Sequence, residues 1–300
     1  MKIGLDIQSL VSYGSLLVDF VNMAKKILVT GAGGYIGRHV VSALLDAGQD
    51  VIASDLRLDG VDERATKVQA NIFEPNDNLF EELGAPDACL HMAWRDGFKH
   101  NSDNHMGDLS NHYRFLKHML DSGLKQIAVM GTMHEVGYWE GAIDENTPCH
   151  PASMYGIAKN ALREATLMLA KECDATAQWI RAYYIVGDDA HGNSIFSKLL
   201  QAANDGKATF PFTTGKNKYD FIDVDELARQ ISAVVSQDAV DGVINCCTGE
   251  PITLAERVER YIKENDLNIK LDYGVFPDRP YDSPGVWGDA SKIKQILKNQ

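Results

Sequence analysis

The sequence predicts an α/β protein: a doubly wound parallel sheet followed by a smaller C-terminal α/β lobe. Three observations predict it. From Lys25 onward, short apolar runs alternate with segments of helical period. A glycine-rich turn joins the first run to the first helical segment. After about Gly187 the alternation gives way to shorter runs interleaved with Gly, Asn and Pro, without a linker or an internal repeat. The 300 residues are 45% hydrophobic and 24% charged, enough apolar material for a large core, which excludes disordered and collagen-like chains.

The expected strands of the main sheet are Lys26–Thr30, Val51–Asp55, Ala88–Met92, Gln126–Met130 and Gln178–Ile185. Each is an apolar run short enough to be a strand buried on both faces. Between them, Gly37–Gly48 places Val40, Val41, Leu44 and Leu45 on one helical face. Tyr155–Lys171 does the same with Ala158, Ala161, Leu162, Ala165 and Leu169. The runs Tyr219–Val224 and Gly242–Cys246 also read as strands, so part of the late chain, about 219–248, is expected to return to the main sheet. The expected organisation is therefore an N-terminal extension over 1–24 with no assigned role, a first domain over 25–186, and a lobe over 187–300.

The run KKILVT leads straight into GAGGYIG and then a helix, placing Gly31, Gly34 and Gly37 at a strand-to-helix turn, the fingerprint of a Rossmann sheet. Gly31 permits the tight turn. Gly34 lets the backbone approach a pyrophosphate, and Gly37 lets the helix lie close to the strand, with amides and the helix dipole facing the anion. Asp55 ends the second run, where a carboxylate accepts both hydrogen bonds of an adenosine ribose diol and repels a 2′-phosphate. NAD is expected over NADP, with Arg57 two residues on keeping NADP open.

In SMYGIAK, Tyr155 and Lys159 are four residues apart on a helix and share a face. A tyrosine ionises near pH ~10, so proton transfer at neutral pH needs a nearby cation, which Lys159 and an oxidised nicotinamide would supply. Thr132 lies at a strand end, where its hydroxyl can hold the reacting oxygen.

With a glycine turn, a threonine and a Tyr–Lys pair in this order, the chain resembles the extended short-chain dehydrogenase/reductase family, in its nucleotide-sugar epimerase/dehydratase branch. The resemblance runs from Lys25 to the C-terminus. It implies a cofactor loop of Gly31, Gly34, Tyr35, Ile36 and Gly37, with Asn71 and Ile72 beside the adenine. It makes His91, Ala93 and Trp94 a cofactor-lining strand end, and Thr132, Tyr155 and Lys159 the catalytic set, the last two also touching the cofactor. YDFIDVDELA (Tyr219–Ala228) and DRPYDSPGVWGDASK (Asp278–Lys292) resemble the family's substrate-domain signatures. They imply a nucleotide-diphosphate sugar, with Arg279 on a phosphate and Asn193 donating to the diphosphate. A homodimer through the Tyr155–Lys171 helix and a helix around Leu109–Leu120 is implied as well.

Departures from the family narrow the chemistry. Its 4,6-dehydratases carry Asp-Glu after the catalytic threonine, where this chain has Met133-His134, so a dehydratase is disfavoured. His134 and Glu135 are the available substitutes for acid/base work, Glu135 one position out of register. Tyr184 replaces a common asparagine and Tyr219 a common arginine, with Lys218 the neighbouring cation. The expectation is hydride transfer at C4 of a nucleotide-activated hexose, by an NAD-dependent epimerase. An NAD(P)H-dependent 4-ketosugar reductase is the alternative, and a dinucleotide-sensing protein without turnover the least favoured reading.

The formal charge is −13, from 29 Lys and Arg against 42 Asp and Glu, without a basic run to offset it. Such a surface repels phosphate backbones, so nucleic acid is not an expected partner. The five cysteines show no CxxC pair or zinc spacing, which suits reduced thiols in a cytoplasmic protein with no metal site. Asp6 and Asp19 interrupt the apolar first two dozen residues and no small-residue cleavage site follows, so neither a signal peptide nor a membrane span is expected.

Overall fold

The computed structural model describes residues 24–74, 76–187, 194–278 and 282–299. Its main sheet has seven strands: β1 (Lys26–Thr30), β2 (Asp50–Asp55), β3 (Thr66–Gln69), β4 (Ala88–His91), β5 (Gln126–Thr132), β7 (Thr176–Ala182) and β12 (Gly242–Cys246). Their order is β12-β7-β5-β4-β1-β2-β3, and every pair is parallel. Strand order therefore reverses direction between β1 and β4, the crevice where such sheets bind ligands beyond their strand ends.

Side chains of β1 alternate between two cores. Ile27 and Val29 pack with Val40, Val41 and Leu44 of α1 (Tyr35–Asp46) and with Leu227 and Ile231 of α7 (Val224–Val235). Leu28 faces the other way, toward Phe115, Leu116 and Met119 of α4 (Leu109–Asp121) and Leu162 and Leu169 of α5 (Met154–Glu172). Helices on both faces explain why β5 is buried along all its length and carries no polar alternation. Full burial of a side chain such as Phe115 is worth about 1.5–3 kcal/mol.

Between β3 and β5 lie two short helices, α2 (Leu79–Glu82) and α3 (Asn104–Gly107). A mixed four-stranded sheet joins β6 (Gly141–Ile143), β10 (Lys218–Tyr219), β13 (Ile252–Thr253) and β15 (Gly285–Gly288). Two-stranded pairs unite β8 (Tyr184–Val186) with β11 (Phe221–Asp223), and β9 (Thr209–Pro211) with β14 (Lys270–Asp272). Helices α6 (Ile195–Asn204) and α8 (Leu254–Glu264) pack Phe196, Leu199, Val258 and Tyr261 into a third core, and α9 (Ser291–Lys298) returns to the first.

Two expected strands differ. Gln178–Ile185 is broken at Tyr183, because the Tyr184 amide donates to Asp220 O and β8 pairs with β11, away from the main sheet. Tyr219–Val224 is broken at Asp220 and its halves join the small sheets, while Gly242–Cys246 does lie in the main sheet. Asp220 causes the second break. Its fully buried carboxylate accepts from Thr248 N and Oγ1, Gly249 N and Gly288 N at 2.6–3.2 Å, so the backbone turns to aim it inward. All five cysteines are free. No described helix is long and apolar enough to cross a membrane.

Candidate active site

The glycine turn closes over the strand reversal. Gly31 has φ +72°, and a Cβ there would sit 2.6 Å from Ala93 N, so the chains leaving β1 and β4 touch backbone to backbone. A Cβ on Gly33 would collide with the Arg57 carbonyl oxygen, and one on Gly37 with that of Gly31. Gly34 is the N-cap of α1 and offers no side-chain cap, which leaves the first-turn amides aimed out of the turn. Asp55 Oδ2 accepts the Gly33 amide at 3.0 Å and Oδ1 that of Leu56 at 2.6 Å. Exposed Arg57 follows. A cradle this tight, with an open helix start and a carboxylate at its rim, fits the pyrophosphate and ribose of a dinucleotide.

Around it the expected residues fall into three groups. Ile36 packs against the α1-side core, and the Tyr35 hydroxyl end reaches Gly187 at the start of the lobe. Exposed Asn71 closes its own turn by accepting from Phe73 N and donating to Glu74, while Ile72 is buried in the α4-side core. His91 is 1% exposed, with Nδ1 2.8 Å from Thr30 Oγ1 and Nε2 2.9 Å from His112 Nδ1. It supports the cradle from behind, the Ala93 backbone lies against Gly31, and Trp94 packs against the α4-side core.

The structure brings Thr132, Tyr155 and Lys159 together. Thr132 ends β5 on the side of the Tyr155 phenol, and its hydroxyl accepts from His134 N at 3.3 Å. Ser153 caps α5, accepting from Gly156 N at 3.1 Å, and so starts the helix that carries Tyr155 and Lys159 on one face. Lys159 Nζ donates to Met130 O at 2.6 Å and lies 5.9 Å from the Tyr155 ring centroid. Burial pushes the Tyr155 phenol up from its ordinary value while Thr132 pulls it down. Burial pushes the Lys159 ammonium down to about 7, against the charge of Glu135.

The two substitute acids separate. Glu135 is fully buried in a capping box: Oε1 accepts from Thr132 N at 2.7 Å and Trp179 Nε1 at 2.8 Å, and Oε2 pairs with Arg181 Nε at 3.3 Å. It fixes Thr132 and has no path to a substrate. His134 stands at the site, its ring 6.2 Å from that of Tyr155 and 4.5 Å from that of His100. Burial pushes His134 down to about 4.

Sequence reasoning missed Gly33, although it is the middle glycine of the turn. It also missed His100, which stacks on Tyr155 at 5.5 Å and accepts the Tyr155 amide through its carbonyl, and His105, 5.2 Å from the same ring. A loop crossing onto a helix leaves no periodic signal.

In the lobe, a cleft of about 360 Å³ is lined by Lys198, Phe210, Phe212, Asn217, Tyr219 and Phe276 among others. Lys218 is exposed and outside that lining, and among the described residues Lys198 is the cation that faces the cleft. Tyr184 packs its ring 4.4 Å from Tyr219. Asn193 and Arg279 lie outside the described residues.

A chain of 43% identity over 270 residues, covering 87% of this chain and 98% of its own length, is dTDP-6-deoxy-L-talose 4-dehydrogenase (NAD(+)) of Aggregatibacter actinomycetemcomitans. UDP-glucose 4-epimerase of Lactobacillus helveticus is 26% identical over 308 residues, 91% of each chain. Among solved structures, a UDP-glucose 4-epimerase with UDP-glucose from Thermotoga maritima superposes with TM-score 0.77 at 22% identity, over 90% of this chain and 91% of that one. The model of the NAD dependent epimerase/dehydratase family matches residues 27–247. Joined to the glycine cradle and the Thr–Tyr–Lys geometry, that match makes this chain an enzyme of the NAD-dependent epimerase/dehydratase family.

Proposed function

We propose that the enzyme is an NAD-linked 4-dehydrogenase, run in reverse as a 4-ketoreductase, of a deoxythymidine-diphosphate-linked 6-deoxyhexose. The observation that carries this is 43% identity across 98% of a relative of that activity. The epimerase expected from the sequence is the second reading, supported by the epimerases among the relatives at lower identity.

Bound at this site, NAD would supply the hydride acceptor for oxidation of the sugar carbon and, in its reduced form, the donor for the reverse. The cradle of Gly31, Gly33, Gly34 and Gly37 would hold its pyrophosphate and Asp55 its ribose, with Lys159 toward the nicotinamide end. Tyr155 Oη takes the proton of the C4 hydroxyl as that carbon is oxidised, and gives it back in reduction. Thr132 Oγ1 holds the same oxygen, and the Lys159 charge favours the phenolate. Glu135 is spent on Thr132 and Arg181 and so is not free for dehydration. The nucleotide would lie in the lobe cleft, its base against Phe210, Phe212 and Phe276 and a phosphate toward Lys198. Lys218, Asn193 and Arg279 are kept as the outer phosphate contacts.

A cytoplasmic homodimer belongs to the same reading, supported by exposed Tyr113 on α4 and exposed Met154, Ile157 and Met168 on α5. The test is stoichiometry. With dTDP-6-deoxy-L-talose and NAD+, the proposal expects one reduced cofactor per sugar oxidised; a C4 epimer formed with no net reduced cofactor would establish the epimerase instead.

A further inference from the structure

Behind the triad sits a buried assembly that the proposed chemistry does not use. The Trp94 indole lies under the Lys159 ammonium, 3.8 Å from Nζ to the ring centroid. Its far side is braced. The His112 ring stacks on the indole at 4.3 Å with 15° between planes, and the His105 ring lies beside its N–H edge, 6.1 Å away with 18° between planes. The indole N–H donates to His105 Nδ1 at 3.1 Å, and His105 Nε2 lies 3.0 Å from Lys99 O. An indole can only donate and a carbonyl only accept, so His105 carries its proton on Nε2. His112 in turn meets His91, which meets Thr30 beside the glycine turn. His91, His105 and His112 are each at most 2% exposed.

We infer that Trp94 is a positioning residue for Lys159: its π face holds the ammonium in place and charged, and the three buried histidines exist to hold the indole. The inference rests on the reading of Lys159 as the cation of the proton-transfer pair.

The surroundings of Lys159 leave this as the indole's task. From β5 the ammonium has one acceptor, Met130 O, and from the turn that follows, the charge of Glu135 acting at a distance. Tyr155 faces it from α5 with its ring, and His91 from β4 and His112 from α4 are both kept uncharged by burial. Among the described residues Met130 O is the hydrogen-bond acceptor of this ammonium, which is buried to 3% exposure, and an aromatic face at this distance is attractive to a desolvated cation. The neutral histidines brace the indole without adding a competing positive charge. The cofactor-lining role expected for Trp94 thus becomes one exercised through Lys159.

The direct test is the titration of Lys159 by NMR in protein labelled at lysine Cε, without cofactor or sugar, the resonance being assigned with Lys159→Met. Replacing Trp94 by mono-, di- and tetrafluorotryptophan weakens the π face at nearly constant shape. The expected result is a stepwise fall of the midpoint, reaching about half a pH unit or more in the tetrafluoro protein and in Trp94→Leu, with Trp94→Phe between Leu and wild type. Midpoints that ignore fluorination, or Phe and Leu variants that shift alike, would overturn the inference. Because neither sugar nor NAD is present, failure of the proposed activity leaves this result standing. Conversely, if the titration shifts while the alkaline limb of kcat/KM does not, it is the proton-transfer reading of Lys159 that fails.

Discussion

Tyr155 and Lys159 could be read from the sequence because a four-residue helical spacing turns a string into a shared face, and the structure keeps both on α5. Thr132 was legible from its place at the end of an apolar run. Glu135 was not: its buried pairing with Arg181, 46 positions away, leaves no local trace. The proposed proton-transfer role makes a residue-level prediction. Tyr155→Phe removes the phenolic proton and keeps the ring packed among His100, His105 and Trp94, so kcat should fall about 10²–10⁴-fold while NADH still binds. Stopped-flow turnover and NADH fluorescence titration measure the two separately; a variant that retains turnover would remove Tyr155 from the mechanism.

The strand–turn–helix unit from β1 to α1 was legible apart from Gly33, since Gly31, Gly34, Gly37 and the apolar face speak through local geometry alone. Strands β8, β10 and β11 were not, because their boundaries are set by the buried Asp220 carboxylate and its four donors from two distant segments. Sequence period registers what a strand buries and is blind to a side chain that breaks it. The glycine turn supports a prediction at this scale. In Gly33→Ala the new Cβ runs into Arg57 O, and the Gly33 amide must turn away from Asp55, so the turn opens. NADH affinity should weaken tenfold or more, a loss of about 1.4 kcal/mol or greater, with the β-sheet circular dichroism intact. Undiminished NADH affinity would show that the turn does not hold the cofactor.

At the scale of the molecule, the seven-stranded sheet and its reversal between β1 and β4 bring the cradle, the triad and the histidine brace to one edge. The order of strands beyond β5 was hidden in the sequence, since β12 arrives after a lobe-building excursion of the chain. The brace makes stability depend on acid. Burial pushes His112 down to about 3 and His91 well below its ordinary value, so below pH ~6.5 the unfolded chain binds protons that the folded one does not. Stability therefore falls as pH drops through the window from about 6.5 to 3. For His112 the loss between pH 7 and 5 should be about 2 kcal/mol. Urea midpoints at the two pH values measure it, and His112→Gln should flatten the dependence by that amount; an unchanged slope would mean that His112 is not buried uncharged.

The proposed reaction turns on one carbon of the sugar. The decisive measurement is the fate of deuterium placed at C4 of dTDP-6-deoxy-L-talose when the enzyme turns over with NAD+. Hydride transfer in a dehydrogenase predicts one deuterium in the nicotinamide ring of each reduced cofactor released, and a 4-keto sugar without the label. Deuterium remaining on an epimerised sugar, or lost to water with no reduced cofactor, would contradict it.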